Sequence, residues 1–417
     1  MDKLTVKDLD LHGKRVLMRV DFNVPLDGAT VTDDTRIRAA LPTIQHVLDS
    51  GAALVLMSHL GRPAGKPAPE FSLKPAADRL AELLSRDVAF AADCVGPAVE
   101  QAAAALQPGQ ILLLENLRFH AEEEGKVKLP DDASAADKAA AKSAMQEAQA
   151  VFSRQLAALG DVYVNDAFGT AHRAHASIAG VTRHIEQCAA GFLLEKEIAY
   201  LGNAIANPER PFVAILGGAK ISGKIDVLTN LIDKVDAIIV GGGMVYTFYK
   251  AMGLPVGNSL VEADRIAMAA DILEKVKAKG IQFLLPVDHV VADAFSADAN
   301  VKTVGEKDIP DGWMALDIGP ESLRLFGETI ASAKTVVWNG PMGCFEMAPF
   351  AAGTTGLANA IAAADCVSII GGGDSVAAVN QSGTADRMTH ISTGGGASLE
   401  FLEGKPLPGI TALTDKA

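Results

Sequence analysis

The sequence lacks several features that would mark it as secreted, membrane-bound or nucleic-acid-binding. Its four cysteines among 417 residues have no paired spacing, which predicts neither a disulfide framework nor a zinc site. No run approaches the ~18 apolar residues of a membrane span. The N-terminus is charged from Asp2 onward and has no apolar signal core, so we expect a cytoplasmic protein. The net charge of −14 disfavours nucleic acid and anionic membranes as partners.

The composition is that of a globular protein, with 49% hydrophobic and 21% charged residues. A chain of 417 residues exceeds the size at which one core keeps growing, so two domains of roughly 200 residues each are expected. Because the whole chain is acidic, an anionic substrate would have to be held by local clusters of Arg and Lys.

Short runs rich in Val, Ile and Leu alternate with amphipathic stretches along the chain, which is typical of buried parallel strands joined by crossover helices. The first half predicts strands at 16–20, 54–57, 111–114 and 162–164. The second half predicts strands at 212–216, 237–240, 283–285, 336–338 and 367–370. Residues 194–207 keep helical spacing between the halves, and residues 133–149 read as a solvated helix. The fold class is therefore α/β, with two doubly wound parallel-sheet, Rossmann-like domains and a connecting helix.

Ligands of such sheets bind beyond the carboxyl ends of the strands, and there the first half repeatedly places basic residues. Arg62, Arg118 and Arg173 each follow a predicted strand and would together form a site for a multiply charged anion. A surface salt bridge explains any one arginine but not their repetition at equivalent strand ends. Asp21 and Asn23 would suit a small polyol acid, although an Asx turn is the alternative.

The second half places glycine at the corresponding points, where backbone N–H groups and helix N-termini can approach phosphates. One triple glycine is weak evidence, because tight turns use it too. Five clusters favour a shared nucleotide ligand, and they lie at 217–218, 241–243, 340, 371–373 and 394–396. A P-loop is disfavoured, because the spacing of Gly218, Gly223 and Lys224 is followed by Ile225 where a hydroxyl is needed. No cluster fits the dinucleotide fingerprint G-x-G-x-x-G, which disfavours a nicotinamide dehydrogenase.

From end to end these motifs resemble those of the phosphoglycerate kinase family. Four segments of this sequence resemble the family's substrate motifs: RVDFNVP at 19–25, SHLGRP at 58–63, ENLRF at 115–119 and NDAFGTAHR at 165–173. Four further segments resemble the family's nucleotide motifs: GGAK at 217–220, WNGP at 338–341, GGGD at 371–374 and STGGGA at 392–397. Ser375 stands where the family more often has Thr, which keeps the hydroxyl.

The resemblance implies two sets of site residues. Those around 3-phosphoglycerate or 1,3-bisphosphoglycerate would be Asp21, Phe22, Asn23, Arg36, His59, Leu60, Gly61, Arg62, Arg118 and Arg173. Those around ADP or ATP would be Lys220, Lys224, Asn339, Glu346, Gly372, Gly373, Asp374 and Ser375.

The reaction implied is reversible phosphoryl transfer from 1,3-bisphosphoglycerate to Mg-ADP, giving 3-phosphoglycerate and Mg-ATP. An acyl phosphate needs little base catalysis, so the task is positioning and charge neutralisation. Arg36 and Lys220, one from each half, are the candidate catalytic residues, and Asp374 is the candidate ligand of Mg²⁺. His59 is assigned to hydrogen bonding with the substrate and not to proton transfer.

The predicted domain organisation follows from the same comparison of the two halves. A substrate domain would span 1–190, a connecting helix and hinge 191–208, and a nucleotide domain 209–404. The resemblance implies that the C-terminal tail at 405–417, which shows no helical pattern, returns to the first domain. Two lobes with separate cores are expected to move relative to one another, and a monomer is expected.

Two rival functions belong to other classes. A two-lobed solute-binding protein does no chemistry, but such proteins are exported and this sequence shows no signal. Another small-molecule kinase or ligase of α/β type would lack the arginine series of the first half.

Overall fold

A computed structural model describes residues 3–130 and 132–416. Residues 1, 2, 131 and 417, which include the outer ends of the predicted first domain and of its tail, lie outside the described residues. Contacts divide the chain into two compact units. The first unit comprises Met1–Glu197 and Pro406–Ala417, and the second unit comprises Ile198–Lys405.

The first unit is built on a six-stranded sheet in which every neighbouring pair is parallel. The strands of this unit are β1 Arg15–Arg19, β2 Leu26–Asp27, β3 Thr30–Val31, β4 Ala53–Met57, β5 Ala89–Phe90, β6 Ile111–Leu113, β7 Val162–Asn165 and β8 Cys188–Ala190. Of these, β2 and β3 form a separate small hairpin, and the other six form the sheet. The sheet order is β5-β6-β4-β1-β7-β8. Its helices are α1 Thr35–Asp49, α2 Lys74–Leu84, α3 Pro97–Ala105, α4 Ala121–Glu124, α5 Ala135–Ala157 and α6 Phe192–Ala206, the last of which contains the boundary between the units.

Register in this sheet decides which loops meet. Arg19 at the end of β1 pairs with Met57 of β4 and with Asn165 of β7. The loops that follow these three strands therefore leave the sheet at the same edge. Val16, Leu17 and Met18 are fully buried, so β1 is covered on both faces, as expected of a parallel sheet between helix layers.

The start of α6 is fixed by a buried carboxylate. Asp166 Oδ1 accepts hydrogen bonds from Leu193 N at 2.9 Å and from Leu194 N at 3.2 Å. These are two of the backbone N–H groups that a helix N-terminus leaves without an intrahelical partner. Burial raises the pKa of Asp166 to about 6, against the opposing effect of its hydrogen bonds.

The tail packs on the first unit through main-chain hydrogen bonds. Gly409 N donates to Ala171 O at 2.7 Å, and Thr414 N donates to Cys188 O at 2.9 Å. The prediction that the tail has no helix is wrong for one turn, α14 at Pro408–Thr411. Its proline stands at the start, where a missing N–H costs nothing, and Ile410 is fully buried.

The second unit repeats the scheme with a further sheet. Its strands are β9 Phe212–Leu216, β10 Ala237–Val240, β11 Gln282–Leu284, β12 Asp288–Ala292, β13 Val301–Gly305, β14 Met314–Ile318, β15 Thr335–Asn339, β16 Val367–Gly371 and β17 His390–Ile391. Six of them form a parallel sheet in the order β11-β10-β9-β15-β16-β17, and β12 pairs antiparallel with β13 and β14. The helices are α7 Ile225–Leu231, α8 Val245–Ala251, α9 Ile266–Lys279, α10 Pro320–Ser332, α11 Ala352–Ala363, α12 Gly373–Gln381 and α13 Gly396–Leu402.

Register again brings strand ends together. Leu216 at the end of β9 pairs with Val240 on one side and Asn339 on the other, and Asn339 pairs with Gly371. Trp338, one residue before Asn339, is fully buried in the core beneath this edge.

The predicted fold class is confirmed: two parallel α/β sheets, a connecting helix and a returning tail. The antiparallel sheet and the short edge strands β5, β8 and β17 were not predicted. Among the helices of the described chain, none has the length and apolarity needed to span a membrane.

Candidate functional site

The first unit gathers polar residues at the edge where β1, β4, β6 and β7 end. We call Asp21, Asn23, Arg36, His59, Arg62, Arg118 and Arg173 the anion site. Arg36 belongs to the first turn of α1 and Arg118 to a 3₁₀ turn after β6, and the others lie in loops after the strands.

Asn23 ties two of these loops together. Its Oδ1 accepts a hydrogen bond from Gly61 N at 2.8 Å, and its carbonyl oxygen accepts one from Arg36 Nη1 at 3.0 Å. Arg36 Nη1 also lies 3.4 Å from Asp21 Oδ1. Asn23 N donates to Asp21 Oδ1 at 3.3 Å, so the Asx turn is present as well. Asp21 and Asn23 therefore form an Asx turn and also belong to the polar cluster, so the two alternatives do not exclude each other.

His59 is buried, and its contact with Arg19 fixes its tautomer. Arg19 Nη2 lies 3.1 Å from His59 Nδ1. Because guanidinium has only donors, Nδ1 must accept, and the ring proton is on Nε2. Burial, with the charges of Arg19 and Arg118, holds the pKa of His59 well below its usual range. His59 is therefore a neutral donor.

Arg19 is a buried cation that the sequence prediction left out of the site. It also donates from Nε to Ser177 Oγ at 2.9 Å and from Nη1 to Val20 O. Ser177 in turn donates from Oγ to the buried carboxylate of Glu123 at 2.7 Å. Burial would raise the pKa of Glu123, but His175, whose Nδ1 lies 3.6 Å from Glu123 Oε1, and the charge of Arg19 hold it below its usual value. In the sequence, the only indication of this role was that Arg19 is an arginine at the end of an apolar strand.

Arg118 is half-buried and only partly satisfied. Its Nη1 donates to Gly61 O at 2.9 Å, and its Nε lies 3.4 Å from Glu124 Oε1. The 3₁₀ turn that carries it is capped by Asn116, whose Oδ1 accepts from Arg118 N at 3.0 Å. Burial lowers the pKa of Arg118, which means that the site would gain from a bound anion.

The remaining predicted residues of this site differ in what they can offer. The side chains of Arg62 and Arg173 are exposed, and within the described chain their guanidinium groups form no hydrogen bond or ion pair. The side chains of Phe22 and Leu60 lie in the hydrophobic core of the unit. Only the backbone of these two residues can reach a ligand.

The glycine-rich strand ends of the second unit surround a cavity of about 340 Å³, which we call the phosphate cavity. Its walls include the predicted residues Lys220, Lys224, Asn339, Gly372, Gly373, Asp374 and Ser375. Ser375 Oγ accepts a hydrogen bond from Gly340 N at 2.6 Å and so joins α12 to the end of β15.

The backbone that lines this cavity requires glycine at two positions. A Cβ at Gly217 would overlap the main-chain carbonyl groups of Pro341 and Gly340. Gly372 has a φ of +89° and precedes the first turn of α12, which favours glycine and leaves the helix N-terminus accessible.

Lys224 is the cavity's half-buried cation. Its Nζ donates to Asn339 Oδ1, and Asn339 Nδ2 is buried with no partner within the described residues. Burial lowers the pKa of Lys224 to about 8, although Asp374 and Glu403 act in the opposite direction. An anion in the cavity would raise this pKa again, because it favours the charged form of the side chain.

A second, larger cavity of about 740 Å³ adjoins the phosphate cavity in the same unit and shares Gly218, Ala219, Pro341 and Asp374 with it. Its lining is mainly apolar, with Glu346 exposed, and suits a planar base. The sequence prediction missed its large apolar residues, which are Tyr246, Leu260, Phe295, Met314, Leu316, Met342 and Met347. No sequence motif marks these residues, because any large apolar side chain can line such a cavity.

Asp374 lies where both cavities meet. Its side chain is exposed and accepts no hydrogen bond from the described residues. A free carboxylate beside a phosphate-sized cavity fits the oxygen ligands that a hard divalent cation requires.

Comparison with known proteins gives a consistent result. A family model described as phosphoglycerate kinase matches residues 6–405. The chain is 58% identical over 418 residues to the phosphoglycerate kinase of Chloroherpeton thalassium, and 58% identical over 416 residues to that of Moorella thermoacetica. Both alignments cover 100% of each chain. The solved structure of phosphoglycerate kinase from Coxiella burnetii matches with a TM-score of 0.86 and 40% identity over 98% of each chain.

Proposed function

The chain belongs to the phosphoglycerate kinase family, and from this membership we propose which of its residues carry out the family's reaction. The reaction is reversible phosphoryl transfer from 1,3-bisphosphoglycerate to ADP, which gives 3-phosphoglycerate and ATP. The residue assignment rests on one observation, which is that the two units contain different kinds of site. The first unit has the arginine-rich anion site, and the second unit has the glycine-lined cavities.

We propose that the anion site binds 3-phosphoglycerate or 1,3-bisphosphoglycerate. Among the described residues, the guanidinium groups of Arg62 and Arg173 have no partner, and Arg118 retains donors that these residues do not use. Planar guanidinium forks match phosphate and carboxylate oxygens. The neutral His59, with its proton on Nε2, would donate one hydrogen bond to a substrate oxygen. Gly61 would approach the substrate through its backbone.

The nucleotide is assigned to the two cavities of the second unit. The apolar cavity would hold the base, with Glu346 at its wall, and the phosphate cavity would hold the phosphates against Lys224 and the start of α12. Asp374 would hold the Mg²⁺ that accompanies ADP or ATP. Bound there, Mg²⁺ would neutralise phosphate charge.

Arg36 and Lys220 are proposed to stabilise the phosphoryl group as it transfers. Arg36 is held by Asn23 O and Asp21, so its position is set before substrate arrives. Lys220 is exposed at the phosphate cavity. A group that acts on charge developing in the transition state lowers the barrier without adding to ground-state binding.

A coupled spectrophotometric assay with 3-phosphoglycerate and Mg-ATP tests the assignment. Arg36→Ala and Lys220→Ala should each lower kcat by about 100-fold or more and change KM less. Arg38→Ala is the matched control, since Arg38 lies on the same helix and, among the residues that the structure describes, its guanidinium group pairs with Asp34 alone. A kcat within a fewfold of the parent together with a raised KM would assign the residue to binding instead.

The metal assignment has its own test. Asp374→Asn should raise the Mg²⁺ concentration needed for half-maximal activity at least ~10-fold, because one of few charged ligands is lost. Asp386→Asn, an exposed aspartate of the same unit, is the control. Equal Mg²⁺ requirements in the two variants would refute the role of Asp374. The cytoplasmic location, the monomeric state and the hinge motion stay predictions.

A further inference from the structure

Three side chains with different metal-binding atoms meet in the first unit, outside the anion site. Asp93 and Cys94 lie in the loop after β5, and His120 lies immediately before α4. One atom of each, namely a carboxylate oxygen, the thiol sulfur and an imidazole nitrogen, lies within 4.8 Å of the other two. We call these three residues the Cys94 cluster.

The cluster is held in place by its surroundings. His120 Nε2 lies 2.7 Å from Asp93 Oδ1, and the imidazole stacks on the ring of Phe152 with centroids 5.1 Å apart. Cys94 N donates to the same Asp93 Oδ1 at 2.7 Å. The Cys94 N–H and the Phe152 ring fix the direction of the carboxylate and of the imidazole, which is what outer contacts do for metal ligands. The contact between His120 Nε2 and Asp93 Oδ1 joins two of the candidate ligands, and a bound ion would take the place of the proton between them.

The burial of the cluster is graded from inside to outside. Cys94 is fully buried, the side chain of His120 is 28% exposed, and that of Asp93 is 53% exposed. An ion can therefore enter from the side of Asp93, and water can complete its coordination there. Cys94 does not have the environment of a reactive thiol, because burial and the charges of Asp93 and Glu123 raise its pKa well above the usual value.

A thiolate, an imidazole and a carboxylate form a donor set suited to zinc. Mg²⁺ and Ca²⁺ prefer oxygen ligands only, whereas Zn²⁺ accepts S, N and O in tetrahedral sites. With Zn–S near 2.3 Å and Zn–N near 2.0 Å, ligand atoms of such a site lie roughly 3.3–3.6 Å apart. Because the three candidate ligand atoms lie within 4.8 Å of one another, side-chain shifts on the order of 1 Å would bring them to that geometry.

We propose that Asp93, Cys94 and His120 bind one Zn²⁺ ion, with a water molecule as fourth ligand. The ion would join the loop after edge strand β5 to the segment that carries Arg118, two residues before His120. This zinc site is separate from the Mg²⁺ of the nucleotide, since the Cys94 cluster belongs to the first unit and Asp374 to the second. The site could not be predicted from the sequence, because its ligands come from two separate segments with no zinc-motif spacing.

Cobalt titration of the full-length protein tests the proposal, since Co²⁺ replaces Zn²⁺ and reports its ligands by absorption. We expect one equivalent of Co²⁺ to give a thiolate charge-transfer band and the strong visible bands of tetrahedral cobalt. Added Zn²⁺ should remove both. Cys94→Ser should lose the charge-transfer band, and His120→Gln should weaken Co²⁺ binding at least ~10-fold. Cys366→Ser, which changes a half-buried thiol outside the cluster, should behave like the parent.

Thermal unfolding gives an independent readout. Zn²⁺ alone should raise the Tm of the parent and of Cys366→Ser, because an ion that binds only the folded state stabilises it. The Tm of His120→Gln, which changes a partly exposed side chain, should respond much less. The proposal is overturned if Co²⁺ gives no charge-transfer band with the parent, if the band survives in Cys94→Ser, or if Zn²⁺ raises the Tm of parent and His120→Gln equally.

Discussion

Replacing Arg62 by Ala should weaken substrate binding at the anion site with little effect on folding. Its side chain is exposed, and within the described residues its guanidinium group makes no hydrogen bond or ion pair. The free energy of unfolding should therefore change by no more than about 0.5 kcal/mol. Arg118→Ala differs, because it removes the hydrogen bond to Gly61 O and one of the two cations beside Glu124, and it should cost roughly 1–2 kcal/mol of stability.

The expected loss of affinity follows from the interaction removed. A hydrogen bond between a charged donor and a charged acceptor contributes ~1.5–3 kcal/mol. The lower value applies to Arg62, since its side chain is solvent-exposed. About 1.5 kcal/mol corresponds to a dissociation constant for 3-phosphoglycerate that is roughly 10-fold higher. The affinity for ATP should stay the same, because the candidate nucleotide residues all belong to the other unit.

Isothermal titration with 3-phosphoglycerate and, separately, with Mg-ATP measures both affinities. Arg38→Ala serves as the control, because it removes an exposed arginine of the same unit that pairs with Asp34. The reasoning is refuted if Arg62→Ala changes the affinity for 3-phosphoglycerate less than about twofold. A parallel loss of affinity for both ligands, with an unchanged unfolding curve, would refute the separation of the two sites.

Three further predictions concern the second unit. The lowered pKa of Lys224, about 8, means that phosphate binding should take up a proton near pH 8–9, so ATP affinity should fall as pH rises through this range. Titrations in buffers of different ionisation enthalpy measure that uptake, and Lys224→Met should abolish it. Gly217→Ala should cost about 1–3 kcal/mol in urea unfolding, because its Cβ meets main-chain atoms, whereas Gly223→Ala, which has open space, should be near neutral. Burial raises the pKa of Asp317 to about 7, above its unfolded value, so its contribution to stability is lost as pH rises from about 4 to 7. Asp317→Asn should flatten the pH dependence of urea unfolding in that window, and an unchanged slope would contradict this.

Much of the fold could be predicted because the central strands carry their own signal. The predicted strands at 212–216 and 237–240 match β9 and β10 in full, since an apolar run buried on both faces needs no knowledge of its neighbours. Edge strands such as β17, His390–Ile391, are too short to show a pattern. The antiparallel sheet was missed for a different reason: in β13 three of five residues are exposed, so the strand has no buried run.

The candidate site was predicted in part for a similar reason. Arginines and glycines that directly follow strands are visible in the sequence, and the resemblance to a known family gave them roles. Arg19 was left out, because nothing local indicates that its guanidinium turns inward to reach His59 and Ser177. The apolar walls of the larger cavity were missed as well, since Tyr246 and Phe295 are not distinguished from core or surface residues by their spacing.

The sequence by itself determined the alternation of strands and helices, the acidic charge, and the residue types that follow each strand, because these depend on neighbours along the chain. Tertiary structure alone decided which of those residues meet. The pairing of Arg19 with Met57 and Asn165 places three loops at one edge, and a shift of one residue in register would turn every side chain to the opposite face. The same holds for the tautomer of His59, the lowered pKa of Lys224 and the meeting of Cys94 with His120. Each depends on burial and on contacts between distant segments, which packing creates and local sequence does not encode.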